Sequence, residues 1–574
     1  MSGFVVACAR DGASLPFTEA DVRTCVDRLV PDNITAAPPL MTSTPGLVLA
    51  VFCPAPELAV HAGAVCLGGM IDPPSRWWSP DCDPPDGSYA LCRCAEDVVD
   101  LVSDSLGSRT MWYVLTDDLF LASSSQRALV CLMGSFEPDA ETVSWLASSG
   151  TLGLGHSWDA RVRSAPPGER LRLDRRRWRL TGVPLSGPEG PELAETEATA
   201  ALRAAILETC AAWRLPPESW LLTISGGRDS RSILMAMLAA GVRPRCVTWG
   251  APDDARVRTG DARIAAELCR LLGLEHTFIA KEISDEPQRQ WLTRYLVASE
   301  GRSDQLSGYV DGLRLWKDFH DAGIAGIIRG DEPGWGYSHV TSEADIRQRA
   351  RLILADDFAG THLIRRLGLD PQSVRSDLPR RPGEQLEAYR NRLFELFMSP
   401  LYVTCLSDIK SPYVEVVNPL LARRVVSTAR RLPVSQTRER RAFKAVAREL
   451  SPDLPFARRH SVMQLDDYLL EPRVAAELTA ELGSSAAQRC LSRPGLDAVI
   501  EALNAPPAAA ALRQHARERM RERVPLKWRR ALRGVPPPRM STPTLALRLY
   551  IASRMATMLA EDAQALTSRA RATA

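Results

Sequence analysis

Hydrophobic residues follow two different patterns along the chain. In residues 1 to about 185, short apolar runs are separated by turn residues, as at Gly46–Phe52 and Tyr89–Cys92. Met111–Leu115 and Leu119–Ala122 repeat this pattern, which is typical of strands. Beyond these residues, strands and helical segments alternate. That alternation predicts a parallel sheet covered by helices on both faces, so we assign the chain to the α/β class.

The second pattern begins after a linker at residues 183–195 that is rich in proline, glycine and glutamate. A helix is predicted at Glu195–Trp213, and Arg245–Trp249 is predicted to be a strand of the sheet. Asp261–Leu272 carries apolar residues at helical spacing, and Gly273 ends that helix. Ligands bind such sheets at the carboxyl ends of the strands, so a binding site is expected there.

The composition excludes several classes of protein. A chain of 574 residues is expected to form roughly two to four domains. Its net charge of +2 gives no overall field for nucleic acid, and no apolar run approaches a membrane span. The N-terminus lacks a basic segment followed by an apolar signal region. The 13 cysteines have no CxxC spacing, which predicts reduced thiols in a cytoplasmic protein. The low net charge and the lack of a long apolar run predict that it has no membrane partner.

One basic segment stands out near the C-terminus. Arg513–Arg533 contains nine Lys or Arg residues and two Glu residues. An RNA-binding arm is one interpretation, but a solvated helix face or a surface for an acidic partner is commoner. We therefore expect no nucleic acid partner. Pro536–Pro538 separates this segment from a final helix that is predicted to start near Pro543.

The most informative segment is Leu221–Ser230, which is read as a strand, a Ser-Gly-Gly turn and the start of a helix. Glycines let the backbone turn sharply and approach a ligand, and the first N–H groups of a helix attract phosphate. Hydroxyl groups in the turn can add donors, and its aspartate can hold Mg²⁺. An ordinary strand–turn–helix connection is the alternative. The residues that this interpretation assigns to phosphate are Ser225, Gly226, Gly227, Asp229 and Ser230.

The Ser-Gly-Gly-x-Asp-Ser sequence resembles the pyrophosphate loop of the N-type ATP pyrophosphatases, which have an adenine nucleotide α-hydrolase-like fold. Gly330-Asp331-Glu332 and the residues up to Tyr337 resemble a segment of the asparagine synthetase family. The resemblance implies that Asp229 and Asp331 together hold Mg²⁺ with ATP. It also implies that Thr248 and Trp249, at the end of a strand, receive adenosine. Trp249 could equally be a core aromatic residue, and His276 is expected to be a packed histidine rather than a catalyst.

Residues 1–185 resemble the class II glutamine amidotransferase domain of the same family. Four short segments carry this resemblance: Asp86–Leu91, Asp104–Arg109, Ala122–Leu129 and Pro166–Gly168. The implied fold is an Ntn-type αββα domain. A working glutaminase of that family uses a cysteine directly after the initiator methionine, whereas this chain has Ser2. We therefore expect a degenerate domain without glutaminase activity that serves as a scaffold or docking surface.

The resemblance gives less clear assignments for catalysis. Glu415 occupies the place of a glutamate that helps to deprotonate the attacking amine in ring-forming relatives, but an ion-paired structural role, with Lys410 as partner, is equally open. The family lysine that stabilises negative charge in the transition state is replaced by His460. Either His460 supplies that charge, or Arg458, Arg459 or Lys444 does. Val417 stands where the family has an arginine.

The combination of an ATP-pyrophosphatase domain and a degenerate amidotransferase domain is similar to lasso peptide cyclases and to β-lactam synthetases. Ile328 stands where β-lactam synthetases have a tyrosine, which favours the cyclases. The resemblance then implies ATP and Mg²⁺ as cofactors, a precursor peptide as substrate, and a leader peptidase and a leader-binding protein as partners. The implied domains are 1–185, 195–535 and a helical tail at 536–574. A small-molecule amide ligase and an inactive nucleotide-binding scaffold are the alternatives.

Overall fold

The computed structural model describes residues 2–10, 13–185, 190–257, 259–331, 340, 342–358, 362–457, 465–505 and 540–573. The architecture is mixed α/β, with two antiparallel sheets in the first half and one parallel sheet in the second. Within the described ranges, no helix is long and apolar enough to cross a membrane.

The first half is built from twelve strands and three helices. The strands are β1 Gly3–Ala9, β2 Leu40–Thr44, β3 Leu47–Phe52, β4 Ala59–His61, β5 Ala64–Ile71, β6 Asp86–Cys94, β7 Val98–Ser103, β8 Trp112–Leu115, β9 Leu119–Ser123, β10 Arg163–Ser164, β11 Glu169–Asp174 and β12 Arg179–Pro184; the helices are α1 Glu19–Asp27, α2 Gln126–Met133 and α3 Thr142–Ser149. They form two six-stranded sheets, in the orders β10-β8-β9-β1-β3-β2 and β12-β11-β7-β6-β5-β4.

Alternation of side chains along the central strands explains how these layers pack. On β1, Phe4 and Val6 point towards the second sheet, where they meet Leu67 and Ala90. Val5 and Ala7 point the other way and pack against α1 and α2. The strand is therefore buried on both faces, which explains its continuous apolar sequence.

The expected αββα order is only partly observed. One helical layer covers the first sheet, but no helix of the described first half covers the outer face of the second sheet. The apolar residues of that face, Cys66, Tyr89, Leu91 and Val102, instead pack against Trp77 from the segment between β5 and β6. At the end of β5, a Cβ on Gly69 would come within 2.8 Å of Val417 and 3.0 Å of Trp213, so the second half abuts the sheet there.

The expectation that all cysteines are reduced is wrong for one pair. Cys25 of α1 and Cys131 of α2 form a disulfide, although 106 residues separate them in the chain. Both helices pack on the same face of the first sheet, which brings the two Cα atoms to 6.0 Å. The remaining cysteines are free thiols.

The second half contains a five-stranded parallel sheet in the order β15-β14-β13-β16-β17. Its strands are β13 Trp220–Thr223, β14 Arg245–Gly250, β15 His276–Ala280, β16 Gly326–Ile328 and β17 Glu415–Val417. Helices that flank the sheet or precede its strands are α4 Glu195–Ala212, α5 Asp229–Ala239, α6 Asp261–Leu272, α7 Gln288–Ser299 and α8 Arg314–Asp321. The carboxyl ends of the strands lie at one edge, as expected for a parallel sheet.

Short helices complete the second half. They are α9 Glu343–Arg349, α10 His362–Arg366, α11 Leu386–Leu393, α12 Thr404–Asp408, α13 Arg423–Arg430, α14 Val434–Thr437, α15 Arg441–Leu450, α16 Leu465–Leu469, α17 Pro472–Leu482, α18 Ser485–Cys490 and α19 Arg493–Asn504. A π-helix at Phe394–Val403 joins α11 to α12, and 3₁₀ turns lie at Pro252–Arg256, Leu306–Gly308, Ala355–Asp357, Pro419–Leu421 and Arg438–Arg440.

The last helix, α20 Thr542–Thr573, packs inside the molecule rather than projecting from it. Leu545, Tyr550 and Met555 belong to the largest apolar cluster, together with residues of the second half. Arg548 donates to Asp304 at 2.9 Å and to the carbonyl oxygens of Ala147 and Ser148 at 2.8 and 2.7 Å. The helix therefore ties α3 of the first half to the second half.

Candidate functional site

The Ser-Gly-Gly loop lies between the end of β13 and the start of α5, and its hydroxyl groups hold its shape. The Ser225 N–H group donates to Ser230 Oγ at 3.0 Å, and the Gly227 N–H group donates to Ser225 Oγ at 3.1 Å. The two serine oxygens lie 3.1 Å apart. The loop is thus closed on itself at the N-terminal end of a helix, where the dipole favours a negatively charged ligand.

Two positions at the loop require glycine because neighbouring atoms leave no room for a Cβ. A Cβ on Gly226 would lie 2.5 Å from Ala457 Cβ and 2.9 Å from Ile264 Cβ. A Cβ on Gly330 would lie 2.7 Å from the Ser230 backbone nitrogen and 2.9 Å from the Asp229 carbonyl carbon. The segment after β16 therefore packs directly on the start of α5. This contact brings Asp331 to the loop.

The two aspartates interact with each other across this contact. Burial raises the pKa of Asp229, and the charge of Asp331 adds to that increase, whereas Arg440 opposes it. Asp331 Oδ1 accepts a hydrogen bond from Arg329 at 2.9 Å. Its Oδ2 atom is buried and has no hydrogen-bond partner in the described part of the chain. Two carboxylates, one with a buried oxygen that lacks a partner, suit a hard cation that also binds phosphate oxygens.

Among the residues that the structure describes, no third acidic, histidine or cysteine side chain joins this pair to form a metal-binding group. A cation bound by the pair would take further oxygen ligands from a bound phosphate or from water, as Mg²⁺ commonly does.

Positive charges surround Asp229. Arg440 forms an ion pair with its carboxylate. Burial and the neighbouring charge of Arg228 lower the pKa of Lys444, and Arg440 contributes to the same shift. The guanidinium of Arg228 stacks 4.4 Å from the ring centre of Phe456. This concentration of cations next to a helix N-terminus fits a polyphosphate.

Sequence reasoning named Lys444 but missed Arg440. Arg440 precedes α15 and has a left-handed backbone with φ of 58°, as does Glu439 with φ of 53°. Such conformations are uncommon outside glycine and accumulate at functional sites. The run of basic residues from Arg438 to Lys444 was the available signal, but helical spacing could not identify which member turns towards Asp229. Arg458, Arg459 and His460 lie outside the described residues, as do Glu332 and the segment Arg513–Arg533.

Glu415, for which the sequence left a general-base role and an ion-paired role open, lies at the start of β17. It pairs with Gly326 at the amino end of the parallel sheet, whereas Asp331 follows the carboxyl end. Its side chain is 2% exposed and accepts hydrogen bonds from Arg109 at 2.6 Å and from the Gly68 N–H group at 2.8 Å. Glu415 therefore forms a buried ion pair, and its partner is Arg109 of the first half rather than Lys410.

Lys410 has different neighbours. Its amino group lies 3.0 Å from the Tyr309 hydroxyl and contacts the Leu406 carbonyl oxygen. Burial lowers the pKa of Lys410 well below its usual value, and the charge of Arg329 adds to that decrease. Lys410 therefore contacts Tyr309 and Leu406 and does not form the ion pair with Glu415.

The residues predicted to receive adenosine lie at the end of β14. The Thr248 hydroxyl donates to the Ile224 carbonyl oxygen at 2.6 Å and lies 3.0 Å from His276 Nε2. It therefore stabilises the sheet, and only its backbone could serve a ligand. Trp249 is half-buried and packs edge-on against Trp316, with ring centres 5.2 Å apart. Burial lowers the pKa of His276, as expected for a packed histidine.

Ser2 is buried at the junction between the halves. Its hydroxyl donates to the Cys53 carbonyl oxygen at 3.2 Å and accepts from the Ala55 N–H group at 3.0 Å. The backbone nitrogen of Ser2 donates to the Ser411 carbonyl oxygen at 2.9 Å. The hydroxyl is thus engaged within the first half, and the backbone nitrogen links the first half to the second.

No protein-family model and no curated protein sequence matches this chain. Among solved structures, it is similar to an allosteric regulatory enzyme of purine biosynthesis over 49% of this chain and 81% of that one, with 10% identity and a TM-score of 0.21. Glutamine phosphoribosylpyrophosphate amidotransferase from B. subtilis, complexed with ADP and GMP, aligns over 48% and 65% with 8% identity and a TM-score of 0.20.

NMN synthetase from Francisella tularensis aligns over 25% of this chain and 58% of that one, with 16% identity and a TM-score of 0.16. Similarities at these TM-scores carry no argument about this chain. The interpretation of the site therefore rests on its geometry.

Proposed function

We propose that this chain is an ATP-dependent, AMP-forming carbon–nitrogen ligase. The observation that carries the proposal is the contact of Gly330 with the start of α5, which places Asp331 beside Asp229 and the Ser-Gly-Gly loop. A loop of this type at a helix N-terminus, two carboxylates and surrounding cations together suit a nucleoside triphosphate with its metal.

In this proposal, the phosphates lie on the loop from Ser225 to Ser230, within reach of Arg228, Arg440 and Lys444. Asp229 and Asp331 would hold Mg²⁺, which neutralises charge on the phosphates when it is bound. The ion pair of Arg440 with Asp229 places its guanidinium beside the proposed phosphate and metal site. Arginine cannot lose its proton, but it stabilises negative charge on a leaving group.

The finer proposal is a lasso peptide cyclase. A side-chain carboxylate of Asp or Glu in a peptide attacks the α-phosphate of ATP, and pyrophosphate leaves. The peptide's N-terminal amine then forms a bond to the activated carbonyl carbon, while the bond to AMP breaks and the amine loses a proton. Holding two ends of one peptide in one site raises their effective concentration. The loop sequence, the helical C-terminal region and Ile328 in place of a tyrosine support this choice.

The first test combines the purified chain with ATP and a candidate precursor peptide encoded beside its gene, with and without its processing protease. We expect AMP to appear together with a peptide that has lost one water. AMP with an unchanged peptide mass, or with another product, would favour a small-molecule or intermolecular ligase. ATP binding without AMP formation from any peptide would favour an inactive scaffold.

Substitution of either aspartate tests the assignment of the metal site. Asp229→Asn and Asp331→Asn should lower AMP formation by at least about a hundredfold, because each removes one negative oxygen ligand of the proposed metal. Both variants should keep the circular dichroism spectrum of the wild type. Asp253→Asn is the matched control, since Asp253 is an exposed aspartate in the turn after β14. Full turnover by either site variant would contradict the assignment.

A further inference from the structure

Strand β17 connects the first half of the molecule to Asp331. It has only three residues, and all of them are buried. Its amino end lies against the first half, and its carboxyl end lies beside the segment that follows β16. Because strands rise by about 3.3 Å per residue, Glu415 and Asn418, which follows the strand, are separated by about 10 Å.

The amino end of β17 is fixed by the first half. Glu415 Oε2 accepts from Arg109 Nη2 at 2.6 Å and from the Gly68 N–H group at 2.8 Å, and both donors belong to the first half. The Glu415 N–H group donates to the Ala325 carbonyl oxygen at 2.9 Å, next to the start of β16. A buried carboxylate with an arginine and a backbone donor is costly to displace, because its charge would lose its partners.

The carboxyl end of β17 holds the backbone around Asp331. The Val417 carbonyl oxygen accepts from the Arg329 N–H group at 2.8 Å. Asn418, which directly follows the strand, accepts from the Asp331 N–H group through Oδ1 at 3.3 Å. Asn418 is 1% exposed, so its side chain has little freedom to leave this position. Arg329 in turn donates to Asp331 Oδ1 at 2.9 Å.

We propose that the first half of the chain positions Asp331 for metal binding through β17. Arg109 and Gly68 fix Glu415, and the strand transmits that position to Asn418 and to the Asp331 backbone. The inference rests on the proposed function, because it concerns the same metal carboxylate. It assigns a role to a domain whose predicted glutaminase chemistry is lost. Arg109, Glu415 and Asn418 are positioning residues in this scheme.

The physical reason for such support is the geometry that Mg²⁺ requires. Its oxygen ligands lie at about 2.0–2.1 Å in nearly octahedral arrangement, so a carboxylate that moves by a fraction of an ångström binds it less well. Residues that orient a metal ligand without touching the metal typically change metal affinity by about 10- to 100-fold when they are replaced. The effect should therefore be visible in binding, without turnover.

The test measures the affinity of the full chain for ATP by calorimetry, once with Mg²⁺ and once with EDTA. The ratio of the two affinities is the strengthening by Mg²⁺. Arg109→Met should reduce this strengthening by about 10- to 100-fold while the affinity without metal stays within about threefold of the wild type. Asn418→Ala should give the same loss, although it acts at the opposite end of the strand.

Two further variants separate positioning from general destabilisation. Arg109→Lys keeps the charge next to Glu415 and should restore most of the strengthening by Mg²⁺. Arg172→Met breaks an ion pair of similar length, 2.7 Å to buried Asp100, elsewhere in the first half. It should lower the thermal midpoint but leave the strengthening by Mg²⁺ unchanged. Asn418→Ala keeps the proposal testable if Arg109→Met does not fold.

The outcomes distinguish this inference from the proposed function. If Mg²⁺ does not strengthen ATP binding by the wild type, both the metal site and its positioning are overturned. If Mg²⁺ strengthens binding by the wild type, by folded Arg109→Met and by Asn418→Ala equally, only the positioning by the first half is overturned. A loss of strengthening in Arg172→Met would also overturn it, because the effect would then be unspecific.

Discussion

At the scale of single residues, the site depends on the absence of a side chain at one position. Gly330 contacts the backbone of Asp229 and Ser230 so closely that even a methyl group would not fit. Because the nearby atoms belong to the backbone, they cannot move aside without displacing the start of α5. The sequence showed that Gly330 was present, but not which backbone it approaches.

Gly330→Ala should therefore displace the loop and weaken ATP binding by about tenfold or more, together with a loss of stability of about 1–3 kcal/mol from overpacking. Gly308→Ala is the matched control, since a Cβ there would have no neighbour within 4 Å. Calorimetric titration with ATP and thermal unfolding measure the two effects. An unchanged ATP affinity in Gly330→Ala would mean that this contact does not shape the phosphate site.

At the scale of elements, prediction was most successful for strands and helices with a clear pattern. The predicted strand Gly46–Phe52 is observed as Leu47–Phe52, and the predicted helix Asp261–Leu272 has the same bounds in the structure. The final helix was predicted from the sequence, but it was assigned to a helical tail at residues 536–574. Its position in the core could not be inferred, because the buried aspartate and arginine that anchor it look like surface residues in the sequence.

Asp562 gives a direct test of that helix. It is 1% exposed and accepts from Arg127 at 2.7 and 3.0 Å and from Arg28 at 2.8 Å. Asp562→Ala would leave Arg127 buried without its partner, which should lower the free energy of unfolding by about 3–5 kcal/mol. Glu561→Ala, in the exposed adjacent position, should change it by less than about 0.5 kcal/mol. Denaturant unfolding compares the two variants, and equal midpoints would contradict a buried role for α20.

At the scale of the whole molecule, the two halves are joined by buried charges as well as by the chain itself. Arg109 contacts Glu415 and Asp408, and Arg302 donates to Asp408 at 2.8 Å. Such pairs are weak evidence for stability but strong evidence for a specific arrangement, because breaking one leaves a buried charge. Replacing one member of such a pair should therefore lower the free energy of unfolding far more than replacing both members.

Arg109→Met alone should lower the free energy of unfolding by about 3–5 kcal/mol, whereas Arg109→Met combined with Glu415→Leu should recover most of that loss. The reason is that two apolar side chains of similar volume need no partner in a dry interface. Chemical denaturation of both variants beside the wild type measures the difference. If the double variant is less stable than Arg109→Met, the ion pair contributes net stability rather than specificity.

The sequence by itself determined the local features of this protein: the strand and helix pattern, the Ser-Gly-Gly loop before a helix, and the position of Asp331 after a later strand. These depend on residue types and spacing over a few positions, which the backbone converts directly into local structure. The tertiary structure decided which distant groups meet. It placed Arg440 on Asp229, paired Glu415 with Arg109, joined Cys25 to Cys131, and buried α20. Those contacts join residues that lie far apart in the chain, and only the packing of the sheets and helices brings them together.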